Sequence, residues 1–171
     1  GFIDKSGNEV IPLKYDKVYD FSEELALVKL NNQYGYIDKS GNEVILPKYR
    51  NADSFSEGLA PVSVDGYDSC EYIDKTGNAV ITAKYSEVGP FKDRVAIVYD
   101  ITYKKIGSSI FVDTETKAGL IDKTGREIIP LKYDAIHPFS EGLADVKLND
   151  KTGFIDKYGN EVAPPKYSAV E

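Results

Sequence analysis

The side chains in this sequence that could do chemistry recur at fixed intervals. Asp4, Asp38, Asp74, Asp122 and Asp156 each open a segment Asp-Lys-x-Gly, where x is Ser, Thr or Tyr. In Asp4-Lys5-Ser6-Gly7-Asn8-Glu9 an Asp and an Asn flank a Gly, an arrangement that suggests calcium. A calcium loop draws oxygen ligands from alternate positions and closes with a bidentate acid. Here Lys5 takes one of those places and one strong ligand remains. Glycoside hydrolysis would need two carboxyls at a defined separation in one asymmetric site. Five copies of one acid with the same neighbours are instead what a fold requirement produces. The Asp is therefore expected to be a turn residue whose carboxylate accepts nearby backbone N–H groups.

The other reactive groups are isolated. His137 is the one histidine, and a lone His without a Cys or second His makes no zinc site of the usual kind. Beside Ser140 it suggests a nucleophile pair, but Phe-Ser-Glu occurs three times and has a His beside it once. Cys70 has no second cysteine to pair with and is expected to be a small apolar filler. No Gly-rich phosphate cradle is present. The sequence thus predicts no catalytic residue, no metal site and no cofactor. A Lys-Tyr column is more ambiguous. Tyr15, Tyr49, Tyr85, Tyr133 and Tyr167 each stand eleven places after the Asp. Five rings at equivalent places could form an exposed ladder on which sugar rings or a partner's apolar groups stack. Alternatively each ring fills the gap between neighbouring units, with its hydroxyl bonded to backbone.

A repeated element must position these columns. Gly1-Phe2-Ile3-Asp4-Lys5 returns at residues 35, 71, 119 and 153, with Glu71 in place of the Gly in the third copy, at offsets of 34, 36, 48 and 34 residues. The spacing gives one β-repeat domain of units 1–34, 35–70, 71–118 and 119–152 and a partial unit 153–171. Each unit begins with a hairpin whose turn places Gly where left-handed backbone is needed. A corner marked by Pro12, Pro47, Pro130 or Pro164 follows, then a short strand through Lys-Tyr. A second turn comes at Phe21, Phe55, Phe91 and Phe139. The last strand turns Ala26, Val28 and Leu30 inward and Leu27 and Lys29 toward a partly solvated face. The small column Ala26, Ala60, Ala96 and Ala144 marks a close approach. No stretch carries a helical period, so the fold class is all-β. A meander of three or four strands cannot bury its own faces, so units must stack. An open solenoid-like array of four and a half hairpin-meander units is expected, with a small β-propeller as the alternative.

One segment breaks the pattern. The third unit carries a 14-residue insertion, at about 99–116. It is expected to form a β-ribbon turning near Gly107, with Tyr103, Ile106, Ile110 and Phe111 as its partner-binding residues. Composition bounds the partner. The 21 Lys+Arg stand against 28 Asp+Glu, and the net charge of −7 repels phosphate backbones, which excludes nucleic acid. No apolar run nears the ~18 residues of a membrane span, so no membrane insertion is expected. The chain opens at Gly1 with neither Met nor leader, as an excised piece of a longer protein would.

The pattern Gly-aromatic-Ile-Asp-Lys-x-Gly-x-x-Val-Ile-Pro, then Lys-Tyr-Asp, then Phe-Ser-Glu-Gly-Leu-Ala-x-Val, resembles the bacterial WG repeat family. The resemblance covers the whole chain apart from the insertion. In that family a Trp precedes the Gly of the hairpin. Tyr34, Cys70, Ala118 and Thr152 stand there in this chain, and Glu71 replaces the Gly of the third unit. The resemblance implies a β-repeat array with no transferable catalytic site and, by analogy, an interaction or structural role. The expected function is a noncatalytic module for protein–protein interaction or self-assembly. The alternative is a glycan- or cell-envelope-binding module using the Tyr and Phe columns, in a secreted or envelope setting.

Overall fold

Short apolar runs punctuated by Gly, Asn and Asp fold as strands throughout, and no helix occurs among the described residues. The computed structural model describes residues 1–3, 5–7, 9–11, 13–64, 70–82, 85–106 and 110–168, with backbone alone at 2–3, 104–106 and 110–114. Asp4, Asn8 and Pro12 of the sequence pattern therefore lie outside the described residues. A first hairpin pairs β1 (Phe2–Ile3) with β2 (Glu9–Ile11). Four antiparallel sheets follow in tandem, each a meander of four strands in chain order. The first holds β3 (Lys17–Ser22), β4 (Leu25–Leu30), β5 (Gln33–Ile37) and β6 (Glu43–Tyr49). The second holds β7 (Asn51–Ala52), β8 (Ala60–Ser63), β9 (Cys70–Ile73) and β10 (Ala79–Thr82). The third holds β11 (Glu87–Val88), β12 (Val95–Ile106), β13 (Ile110–Asp122) and β14 (Glu127–Tyr133). The fourth holds β15 (Ala135–Ile136), β16 (Leu143–Leu148), β17 (Lys151–Asp156) and β18 (Glu161–Ser168). None of the sheets closes into a barrel.

Structure and sequence repeat are out of phase by half a unit. Each sheet takes its first two strands from the end of one sequence unit and its last strand from the start of the next. The Ala-Val strand pairs with the hairpin that follows it: Ala26 lies opposite Ile37, Ala60 opposite Ile73, Ala96 opposite Ile121 and Ala144 opposite Ile155. Five hairpins and four Ala-Val strands are thereby accounted for, because the first hairpin precedes the first complete sheet.

The chain divides into two compact units, Gly1–Lys84 with Pro90–Lys92, and Tyr85–Gly89 with Asp93–Glu171. In the first, Ile11 and Tyr15 share a core with Ala26, Val28 and Ile37 of the first sheet. The other face of that sheet, with Leu25, Leu27, Tyr36, Ile45 and Tyr49, shares a core with Phe55, Ala60, Val62 and Ile73 of the second. In the second unit, Val95, Leu120, Ile129 and Tyr133 of the third sheet pack with Phe139, Ala144, Val146 and Ile155 of the fourth. This corrects the expected solvated outer face of the Ala-Val strand. Leu27 is buried because the second sheet covers that face, and Pro61 of the second sheet is buried as well.

The corner at Pro is also corrected. Pro47, Pro130 and Pro164 lie inside β6, β14 and β18, at a bulge. Tyr34 pairs with Tyr49 and Tyr36 with Ile45, so residues 34–36 face residues 45–49. A bulged residue need not donate to the ladder, so Pro is tolerated there. The bulge drives backbone onto the residue opposite. A Cβ at Gly35 would lie 2.5 Å from the carbonyl oxygen of Ile45 and 2.6 Å from the nitrogen of Pro47. Gly119 and Gly153 face the same obstruction from β14 and β18. In the second sheet Glu71 pairs directly with Thr82 and Tyr72 with Ile81. Glu71 and Ala83 stand in the places of that Gly and Pro.

Candidate functional site

The repeated Asp is consumed by its own turn. Asp38 Oδ1 accepts the N–H groups of Ser40 and Asn42 at 2.9 Å each, and Oδ2 accepts Asn42 Nδ2 at 2.9 Å. Asp74, Asp122 and Asp156 repeat the two backbone bonds. Asp74 and Asp122 add a Thr hydroxyl at 2.6 Å. The Gly that follows has positive φ, +83° at Gly41, and sits over Ile11 of the preceding hairpin. Side-chain donors, from Asn42, Thr76, Thr124 and Asn160 respectively, hold these four carboxyls below the usual carboxylate range. A carboxyl whose pKa is depressed by folding favours the folded state above its unfolded pKa of about 3.9 and loses that contribution as pH falls through the folded value. The urea midpoint is therefore expected to hold from neutral pH to about pH 4 and to fall below it. A midpoint that rises or stays flat on acidification would contradict this assignment.

The Lys-Tyr column reaches from one hairpin to the next. Tyr15 donates to Glu43 Oε1 at 3.1 Å, and Lys14 Nζ contacts the same oxygen at 2.8 Å. Tyr133 and Lys132 grip Glu161 Oε1 at 2.8 and 2.9 Å, and Tyr85 donates to Glu127 at 3.0 Å. Lys14 and Lys132 also lie over the rings of their own Tyr. Hydrogen bonds from Lys14 and Lys132 hold Glu43 and Glu161 low, while burial first, and then Glu127, pushes the Tyr85 phenol up to about 12. Tyr15, Tyr49, Tyr85 and Tyr133 are buried; Tyr167 is exposed. The column is therefore no ladder open along its length, and Tyr15, Tyr85 and Tyr133 donate to a side-chain acid rather than to the backbone carbonyl expected. That acid recurs five places after the Asp, at Glu9, Glu43, Glu127 and Glu161, with Ala79 as the exception. Ala79 pairs with Ile73 as Glu43 does with Ile37, and Lys48 lies over the Tyr49 ring. Ala79→Glu is accordingly expected to supply the missing link and to stabilise the chain by ~0.5–1 kcal/mol, read as a raised urea midpoint.

The Phe-Ser turn supplies a second link. Ser22 Oγ donates to the carbonyl of Phe55 at 2.6 Å, and Ser56 Oγ to that of Phe91 at 2.6 Å. Glu23 accepts the N–H of Gly58 at 2.9 Å and pairs with Lys75 at 3.2 Å. The Phe55 ring tilts against Tyr36 with centroids 4.8 Å apart, and Tyr36 donates to the carbonyl of Asp53 at 2.7 Å. Burial raises the Tyr36 phenol strongly.

His137 Nδ1 pairs with Asp145 Oδ2 on the solvent-exposed face of the fourth sheet. Ser140 lies in the following turn, where its N–H bonds to the carbonyl of Leu143. Cys70 is buried in β9. Among the described residues no three His, Cys, Asp or Glu side chains gather as a metal would require.

The insertion extends two strands beyond their sheet. β12 and β13 pair from Val95–Asp122 to Ile106–Ile110. β11 reaches Val98 and Tyr99, and β14 reaches Ala118, so among the described residues 100–106 and 110–117 no strand other than β12 and β13 takes part in the pairing. Ser86 anchors the base: its Oγ accepts the N–H of Ile101 at 3.1 Å and contacts Asp100 at 3.2 Å. On the opposite strand Lys117 bonds to Asp134 at 2.9 Å. Tyr103 is exposed. Ile106, Ile110 and Phe111 stand on this paired backbone, and their side chains, with Gly107, lie outside the described residues.

A family model described as WG containing repeat matches residues 1–34, 34–67, 72–100, 119–151 and 153–171. The unmatched stretch between the third and fourth matches holds most of the ribbon. A search of curated proteins finds no match to this chain.

Proposed function

This chain belongs to the WG containing repeat family, and we propose that it is a noncatalytic β-repeat module for protein–protein interaction or self-assembly, docking through the ribbon at residues 99–116. The supporting observation is the ribbon itself. Its strands run past the last pairing with β11 and β14, so both edges between residues 100 and 117 lack a neighbouring strand among the described residues. An extended segment of a partner can add to such an edge through main-chain hydrogen bonds. Tyr103, Ile106, Ile110 and Phe111 give this segment the apolar side chains that make such an addition specific. The repeated polar residues are occupied in turns and in links between sheets.

Deletion of residues 101–114 tests the reading. It leaves Glu115 and Thr116 as a two-residue connection between Asp100 and Lys117, which already pair. The melting temperature is expected to change little, while partners retained by the intact chain are lost. Retention of the same partners by the shortened chain would contradict docking through the ribbon.

A further inference from the structure

The first sheet carries two lysines that face each other. Lys17 of β3 stands directly opposite Lys29 of β4, and Lys29 directly opposite Tyr34 of β5, so the three share one face. Lys17 Nζ lies 4.9 Å from the centre of the Tyr19 ring, and Lys29 Nζ 5.2 Å from that of the Tyr34 ring. The two rings, 6.5 Å apart, are half-buried and pack against the core shared with the second sheet, which fixes their places. Like charges directly opposite on a sheet destabilise it. Elsewhere the facing pair at this register is Asn51–Ser63, Glu87–Tyr99 or Ala135–Lys147, so the fold that the four sheets share does not require two cations here.

Among the described residues no acid pairs with either lysine, whereas Lys14, Lys39, Lys75, Lys117 and Lys132 each meet one. Asp16, next to Lys17 in sequence, accepts the N–H of Asn31 at 2.7 Å instead. Burial alone would raise the Tyr19 phenol, but the Tyr34 phenol, Lys17 and Lys29 outweigh it and lower the group below its usual value. Both ammonium groups therefore act on one phenol, in a chain whose net charge is −7.

We propose that Lys17, Lys29, Tyr19 and Tyr34 bind a phosphate group, free or as the monoester of a small molecule. An anion seated between the ammonium groups removes their repulsion and takes charge-assisted hydrogen bonds from them. Two ammonium and two hydroxyl groups offer more donors than the pair of oxygens of a carboxylate can use, whereas a phosphate monoester presents three strong acceptor oxygens. The acidic chain as a whole repels polyanions, which restricts the ligand to a small one. The site involves no residue of the ribbon and does not rest on the docking reading.

Titration calorimetry of the intact chain with inorganic phosphate, glucose 6-phosphate and acetate tests it. Both phosphates are expected to bind saturably, more weakly at high salt, and acetate about tenfold more weakly or worse. Tighter binding of the ester assigns the site to a phosphorylated small molecule, and equal or tighter binding of inorganic phosphate assigns it to the free ion. Lys17→Gln and Lys29→Gln should each weaken phosphate by about tenfold or more. Lys147→Gln removes the equivalent of Lys29 where Ala135 faces it, and should change binding by less than about twofold. Far-UV circular dichroism checks folding, and Lys17→Met or Lys29→Met, which keep the apolar stem, replace a Gln variant that fails. Absence of saturable binding by either phosphate overturns the proposal. So do lysine variants that bind phosphate like wild type, or acetate that binds as tightly as phosphate. These failures leave the ribbon test untouched, since the deletion of 101–114 alters none of the four residues.

Discussion

Gly35→Ala is expected to disrupt the pairing of β5 with β6 and to destabilise the chain by ~3 kcal/mol or more. The obstruction is backbone on the facing strand: the added methyl would meet the carbonyl oxygen of Ile45 at 2.5 Å and the nitrogen of Pro47 at 2.6 Å. Main chain held in a sheet cannot rotate aside as a flexible side chain can. Relief requires β6 to move, and β6 carries Ile45 and Tyr49, both in the core shared with the second sheet. The control is Glu71→Gly at the equivalent place of the second sheet. There Glu71 pairs directly with Thr82, so restoring Gly relieves nothing and should cost about 1 kcal/mol or less from added chain freedom. Equilibrium unfolding in urea compares the two. A Gly35→Ala variant as stable as wild type would remove the bulge as the reason for this glycine.

Tyr133→Ala is expected to cost roughly 3–5 kcal/mol, the range for truncating a large buried aromatic. The ring is fully buried among Leu120, Ile129, Phe139 and Val146. Tyr133→Phe keeps that packing and removes only the bond to Glu161, so it should cost about 1 kcal/mol. The ratio of the two effects separates packing from the hydrogen bond. Tyr167→Ala, on an exposed ring of the same column, should fall within about 0.5 kcal/mol of wild type in dilute solution. Equal losses at Tyr133 and Tyr167 would contradict the burial pattern.

Much of the architecture is legible in the sequence because its signals are local. Asp38 to Asn42 closes a turn through bonds spanning four residues, and the Gly between them marks left-handed backbone. The Ala column and the absence of a helical period give strands and close approach. What escapes local reading depends on the neighbouring strand. The bulge at Pro47 resembles a corner until β6 is set against β5, because Pro breaks a ladder in either setting. The half-unit phase is invisible for the same reason: a sequence repeat has no natural start, and pairing alone shows that Ala26 belongs with Ile37 of the next unit.

The linking residues fall between these cases. The recurrence of Glu five places after each Asp is visible in the sequence, and so is its lapse at Ala79. Its partner is not, since Tyr15 and Glu43 lie in different units and meet only when hairpins stack. Leu27 was expected to be partly solvated because period-two alternation distinguishes two faces of a strand but not whether a second sheet covers the outer one. The ribbon is legible from its length against the other units, and Ser86, which fixes its base, carries no motif.

If the repeated Tyr and Glu columns act as links between successive sheets, Tyr133 and Glu161 must be energetically coupled. A double-mutant cycle in urea, with Tyr133→Phe, Glu161→Ala and the pair together, measures this directly. The expected coupling is roughly 0.5–1.5 kcal/mol. Losses that add to within ~0.3 kcal/mol would show that the column packs without linking, and would contradict the reading of its polar atoms.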